Sequence, residues 1–241
     1  MPDFSTLPTT PTLKVASYNM RKGIGLDRRR DPARVLGVLN EISADIVALQ
    51  EADRRFGTRA SAIPTEMLAS DSDYVPVSLD NRPLSLGWHG NALLVRRGVE
   101  VEESHMLRIP TLEPRGAVAA TLNLFGTRVR VVGMHLDISG IRRRHQARAI
   151  LAHLDAGEDL PTILMGDMNE WRPMAGCLND FSTQHPVVDT GQSFPSRRPL
   201  ARLDRIFASP SLTALDSGVH HSPLAARASD HLPIWATFRA E

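Results

Sequence analysis

Carboxylates, amides and imidazoles recur in one arrangement along this chain, each beside a short and uniformly apolar run. Asn19 closes VASYN, Glu51 closes DIVALQE, and His135 and Asp137 close VVGMHLD. Asp167 and Asn169 lie in TILMGDMN, Asp204 in RLDRIF, and Asp230 with His231 in SDH just ahead of another apolar run. A carboxylate beside a buried strand needs hydrogen bonds, a partner charge or a cation. Taken singly, each has an ordinary reading. Glu51 and Asp167 could cap a helix or a turn, and Asn19 could be a turn residue. Asp204 could pair with Arg202 or Arg205, and His135 and His231 could be satisfied structural histidines. Recurrence in six places of one chain argues instead for a shared site.

The chemistry of that site follows from the hardness of its donors. Carboxylate and amide oxygens suit Mg²⁺, or Mn²⁺ in its place, whereas zinc favours histidine or thiolate at short spacing. Neither His-Glu-x-x-His nor a cysteine pair is present, and Cys177 is the only cysteine. His220 and His221 are adjacent, so on a strand their rings point to opposite faces. A hard cation on a phosphate oxygen, a carboxylate acting on water and an imidazole facing the developing charge make up a hydrolytic phosphoryl-transfer site. The sequence has no Gly-x-Ser-x-Gly elbow and no Walker-type loop, which disfavours acyl hydrolase and ATPase readings.

These residues must be positioned by strands. LKVASY alternates as a strand does from Leu13, and DIVALQ (45–50) reads as a strand buried on both faces. Further strands are expected over 92–96, 99–106, 117–124, 128–134, 162–165, 205–208, 212–220 and 233–238. Asp31 followed by Pro32 predicts an N-cap and first helical position, opening a helix over about 32–43 with Val35, Leu36, Val38, Leu39 and Ile42 on one face. Helices are also expected over about 141–155 and near 173–180. Residues 76–89 and 191–202 read as long surface loops. Residues 1 to about 12 read as a flexible leader, and 13–241 as one domain without internal repeat or linker.

Composition agrees with a globular chain: 241 residues, 42% hydrophobic and 23% charged. A net charge of +1 argues against an all-over basic surface of the kind that grips DNA non-specifically. The only lysines are Lys14 and Lys22, so arginine carries nearly all the positive charge. Arginine's planar fork suits phosphate. With no export signal, no disulfide pair and no apolar run of about 20 residues, the expectation is a cytoplasmic protein. Nothing in the sequence asks for a dimer, so a monomer is expected.

Read in order, SYNMRKG, DIVALQE, GNALLVR, EPRGA, GMHLD, MGDMNEW, RLDRIF and ASDHLPIWATF make the chain, from about Leu13 to Phe238, resemble the endonuclease/exonuclease/phosphatase family. The resemblance implies an α/β fold, a four-layer α-β-β-α sandwich of two mixed β-sheets packed face to face with outer helices. It also implies roles. Glu51 is similar to the principal metal ligand, with Asn19 and Asp230 helping to hold the cation or its waters. Asp167 is similar to the residue that orients or deprotonates the attacking water, and Asn169 to the amide that steadies it or the scissile phosphate. His231 would contact the phosphate, with Asp204 fixing its tautomer, and His135 matches a second catalytic position that the family fills with histidine or tyrosine. Arg115 and Arg21 are candidates for phosphate binding, and Asn91 for a polar residue near the site. Apurinic endonucleases carry an acid at the position of Arg21, so this chain departs from that subgroup. Asp137 receives no role.

The implied activity is Mg²⁺-dependent phosphoester hydrolysis of phosphodiesterase or nuclease type, on a substrate that includes nucleic acid among its candidates. The alternatives are a phosphomonoesterase acting on a small phosphorylated metabolite or lipid headgroup, and a non-catalytic binding protein on the same fold. Trp88, Trp171 and Phe194 are open to two readings, as a stacking surface or as packing.

Overall fold

A computed structural model of the protein describes residues 12–54, 60–79, 84–111, 115–124 and 126–240. Residues 1–11 of the expected leader lie outside the described residues, and Thr12 already belongs to the first strand. The strands are β1 (Thr12–Asn19), β2 (Ile46–Gln50), β3 (Tyr74–Pro76), β4 (Ala92–Arg96), β5 (Glu100–Leu107) and β6 (Gly116–Leu124), followed by β7 (Thr127–His135), β8 (Thr162–Asp167), β9 (Val187–Val188), β10 (Asp204–Ala208), β11 (Leu212–Val219) and β12 (Ile234–Ala240). The helices are α1 (Pro32–Ile42), α2 (Thr65–Asp71), α3 (Gly140–Asp155), α4 (Cys177–Ser182) and α5 (Ala225–Ala228). A short 3-10 turn covers Arg21–Gly23.

Two six-stranded sheets result, ordered β11-β12-β1-β2-β4-β3 and β5-β6-β7-β8-β10-β9. Each has a single parallel pair, β1 with β2 and β7 with β8, and every other pairing is antiparallel. That topology builds the site. The C-terminal ends of a parallel pair lie at the same sheet edge as the starts of its antiparallel neighbours. In the first sheet this brings together the ends of β1 and β2 and the starts of β4 and β12. In the second it brings together the ends of β7 and β8 and the starts of β6 and β10, with His135, Gly116 and Asp204 in register around Asp167.

Three apolar layers hold the sandwich. One lies between α1 and the first sheet, with Val35, Leu36, Val38, Leu39 and Ile42 facing Tyr18, Val47 and Leu49. The second fills the space between sheets with Val15, Ile46, Val131, Ile163, Met165 and Ile206 among others. The third seats α3 and α4 against the second sheet through Ile150, Leu151, Leu178 and Phe181. Each large aliphatic side chain buried in this way stabilises the fold by about 1.5–3 kcal/mol relative to exposure. At Gly133 an added Cβ would come within 3.0 Å of Ala48 Cβ and Leu93 Cδ2, so the glycine permits close approach of the two sheets.

The expected cap forms, with Asp31 accepting from Arg34 N. Other expectations are corrected. The helix foreseen near 173–180 forms at Cys177–Ser182, and the stretch foreseen as a long loop from 76 is preceded by an unforeseen helix, α2, and edge strand, β3. Both elements are short, and α2 has no side chain capping its first turn. Among the described residues no helix is long and apolar enough to cross a membrane.

Candidate active site

Asp167 lies at the end of β8, behind Gly166, where an added Cβ would meet the Met134 carbonyl oxygen at 1.9 Å. Only glycine fits there, and the close backbone approach it allows fixes the direction of the next side chain. Asp167 is 2% exposed. Its Oδ1 accepts the Asn169 backbone N–H at 2.9 Å, and its Oδ2 accepts from Asn19 Nδ2 across the sandwich at 3.0 Å. His135 Nε2 lies 3.4 Å and His231 Nε2 3.9 Å from the same Oδ2. Residues 148 positions apart in sequence thus meet at one carboxylate.

His231 is held from behind. Its Nδ1 lies 2.8 Å from Asp204 Oδ2, an oxygen that also accepts from Ser193 Oγ. The pair fixes Nδ1 as the donor and turns Nε2 toward Asp167. Burial alone would lower the imidazole, but the charges of Asp204, Asp167 and Asp230 overrule it and push His231 up to about 9. Asp204 is fully buried and its Oδ1 has no partner, a cost that the bonds of its Oδ2 with His231 and Ser193 offset. The sequence alternative for Asp204 is set aside: Arg202 pairs with Asp189, and Arg205 donates to the Asp204 backbone carbonyl at 3.1 Å. Ser193, which sequence reasoning missed, takes its place.

The second imidazole is in the opposite condition. Burial lowers His135 to about 3, reinforced by the Arg115 guanidinium against the raising effect of Asp167. Arg115 has only donors, so His135 Nε2 accepts from it and carries no proton. Arg115 Nη1 and Asn169 Nδ2 both donate to the Leu136 carbonyl at 2.9 Å, tying the start of β6 to the ends of β7 and β8.

At the first sheet's edge, Glu51 follows β2 in a left-handed conformation (φ 53°), and its carbonyl accepts Lys22 N–H at 3.0 Å. Lys22 Nζ pairs with Glu51 Oε2, and Arg21 Nε lies 3.4 Å from Asp230 Oδ2. Asn19 Oδ1 accepts Arg21 N–H at 3.1 Å, and Ser229 Oγ donates to the Asn19 carbonyl at 2.7 Å. Asn91 is buried, donating to the Trp88 carbonyl at 3.4 Å, with its own Oδ1 unpartnered. Arg21, Lys22, Glu51, His89 and Asn169 all adopt positive φ. Such conformations are unfavourable for residues with a Cβ, and they gather here where the chain leaves the strand ends.

A buried brace supports the loops beyond β7 and β8. Arg143 Nη2 pairs with Glu170 Oε2 at 2.7 Å while its Nη1 donates to the Ile138 carbonyl at 2.6 Å. Burial would raise Glu170, but its bonds from Arg143 and the Arg172 backbone hold it below the usual carboxylate range. Asp137 is structural: Oδ1 caps the Ser139 N–H, and its own N–H donates to Gln146.

All eleven candidate residues therefore flank one edge of the sandwich, at the strand ends and starts described above. Asp167, Asp204 and His231 offer ligand atoms within 4.8 Å of one another. Within that group the 2.8 Å contact between His231 and Asp204 engages both side chains with each other. The carboxylates of Glu51 and Asp230 are more accessible, each partly exposed beside a basic side chain.

The endonuclease/exonuclease/phosphatase family model matches residues 16–231. The chain is 27% identical to the uncharacterized protein YbhP of Escherichia coli strain K12, over 93% of this chain and 95% of that one. Its fold is similar to D. rerio TDP2 complexed with single strand DNA product (TM-score 0.74, 20% identity, 95% of this chain and 99% of that one). It is similar also to a mannosyl-6-phosphatase of Bacteroides thetaiotaomicron VPI-5482 (TM-score 0.70, 20% identity, 94% and 99%). With its strand ends so arranged and the family model spanning nearly all of them, the chain belongs to the endonuclease/exonuclease/phosphatase family, a family of phosphoester hydrolases.

Proposed function

We propose that the chain is a Mg²⁺-dependent phosphodiesterase in which Asp167 orients and deprotonates the attacking water. The observation that carries this reading is the convergence on one buried carboxylate of Asn19, His135 and His231, with Asp204 behind His231. Asp167 sits within reach of both imidazoles, and its bonds from Asn19 and the Asn169 backbone fix the direction of its lone pairs. His231 Nε2 faces the reacting phosphoryl group in an orientation set by Asp204. Asn169 and Arg115, both anchored on the Leu136 carbonyl, present further donors to phosphate oxygens, and Arg21 lies across the edge from them. Asn91, buried just ahead of β4 and donating to the Trp88 carbonyl, is a further polar candidate at this edge.

The first-sheet donors fit a hard cation. Glu51, Asp230 and Asn19 supply oxygen only, and in the protein alone two of them are met by the cationic groups of Lys22 and Arg21. Glu51 would be the principal ligand, with Asn19 and Asp230 holding the ion or its waters; Mn²⁺ suits the same set. When bound, Mg²⁺ supplies positive charge that polarises the phosphoryl oxygen. The working unit is residues 13–241, because the contributors run from Asn19 to His231.

A substrate panel tests the proposal: plasmid DNA, RNA, bis-p-nitrophenyl phosphate, p-nitrophenyl phosphate, sphingomyelin and phosphoinositides, each with and without chelator. Chelator-sensitive cleavage of a diester is the expected result. Cleavage of monoesters alone would replace it with the phosphomonoesterase reading. No chelator-sensitive hydrolysis of any phosphoester would leave a binding protein on a hydrolase fold.

A further inference from the structure

Eight large hydrophobic residues stand exposed among the described residues, and five of them, Ile138, Ile141, Trp171, Met174 and Leu200, lie in the three segments that rim the catalytic edge. They are 60% to 73% exposed. The segments are contiguous. Phe194 lies 4.8 Å from the His231 ring and meets Trp171 edge-on at 5.9 Å. Leu200 N–H bonds to the Phe194 carbonyl at 2.8 Å. Ile141, Arg144, Arg172 and Ala175 line a common surface cavity beside Trp171.

Charge in the same segments is one-sided. Residues 138–144, 170–176 and 194–202 contain seven arginines and a single acidic residue, Glu170, in a chain whose net charge is +1. Glu170 is buried against Arg143, while Arg144 pairs with Asp180 and Arg202 with Asp189 from outside these segments, so the charge offered to a partner is that of Arg142, Arg172, Arg197 and Arg198. Exposed apolar side chains interleaved with arginines suit a partner that is anionic at its surface and apolar beneath it. Nucleic acid satisfies the first condition only. Base stacking needs planar faces, and four of the five exposed residues are aliphatic or thioether.

We infer that this rim docks on an anionic lipid surface, Ile138, Ile141, Met174 and Leu200 entering the headgroup boundary and Arg142, Arg172, Arg197 and Arg198 meeting lipid phosphates. The inference rests on the proposed hydrolase reading in one respect, that a headgroup phosphoester is thereby presented to Asp167. Docking itself is measured without turnover, so the two readings fail separately.

The test is co-sedimentation of the full chain with vesicles of equal parts phosphatidylglycerol and phosphatidylcholine, against phosphatidylcholine alone and a single-stranded oligonucleotide. The protein should pellet with anionic vesicles, and less so at high salt. The triple variant Ile138→Ser, Ile141→Ser, Met174→Ser should bind at least about tenfold more weakly, since the apolar area entering the boundary sets much of the affinity. These side chains are solvent-exposed, so its melting temperature should match the parent's. Failure to bind anionic vesicles overturns the inference, as does equal binding by parent and triple variant. Oligonucleotide binding that depends on these three residues, without vesicle binding, would reassign the rim to nucleic acid.

Discussion

At the edge of the first sheet the side chains of Glu51 and Asp230 are 26% and 33% exposed, and each faces a basic side chain, Lys22 or Arg21. At the edge of the second, the side chains of Asp167 and Asp204 are 2% and 0% exposed and are held by an amide, a hydroxyl and imidazoles. Partly exposed ion pairs are worth about 1 kcal/mol or less, so Glu51 and Asp230 can exchange a basic side chain for another cation at small cost. The buried carboxylates have no such freedom, and their directions are settled on folding. One half of the edge is adaptable and the other is preorganised, which suits cation capture on one side and action on water on the other.

The sharpest test of the preorganised half is Asp167→Ala, expected to lower turnover by about 10² to 10⁴, the range of a lost general base. Circular dichroism should stay unchanged, because the strands around it do not depend on that carboxylate. Activity near the parent's would remove Asp167 from the water-activating role.

Next in size is Glu170→Gln, which leaves Arg143 buried without its counter-charge. Urea denaturation should show a loss of about 3 kcal/mol, as when one partner of a buried pair is removed. The pH dependence has a definite sign. Folding lowers the Glu170 pKa from its ordinary 4.5, so the contribution is complete above that value and disappears as pH falls through the depressed folded one. The variant should therefore narrow its stability deficit in acid; a deficit independent of pH would assign the loss to packing.

For the adaptable half, Glu51→Gln should raise the Mg²⁺ midpoint of activity by on the order of tenfold through reduced ligand charge. An unchanged midpoint would move the metal elsewhere. The smallest effect is expected from Lys22→Met, which removes the basic partner of Glu51. The Mg²⁺ midpoint should fall by no more than about fivefold, the equivalent of roughly 1 kcal/mol. A rise would mean that Lys22 assists the cation.

The strand ends were legible because burial imposes a local pattern: DIVALQ is apolar throughout, and Glu51 breaks the run where the strand leaves the core. Asp31 and Pro32 announced α1 by the same kind of local rule. Ser193 carried no comparable signal, since its bond to Asp204 depends on how the segment before β10 returns over the sheet. The Arg143–Glu170 brace was hidden for a related reason. Arg143 lies in RRRH, where periodicity offers no sign that one arginine of three turns inward. Short elements such as α2 and β3 hold their shape by tertiary contacts and give too few residues for a period to show.

In the first sheet β12 lies between β11 and β1, so it is an interior strand. It pairs with both neighbours along most of its length, and β11 has no other partner among the described strands. A break in β12 would thus detach β11 and open the flank of β1, and the damage would reach Asn19 through the sheet rather than through any side chain of β12.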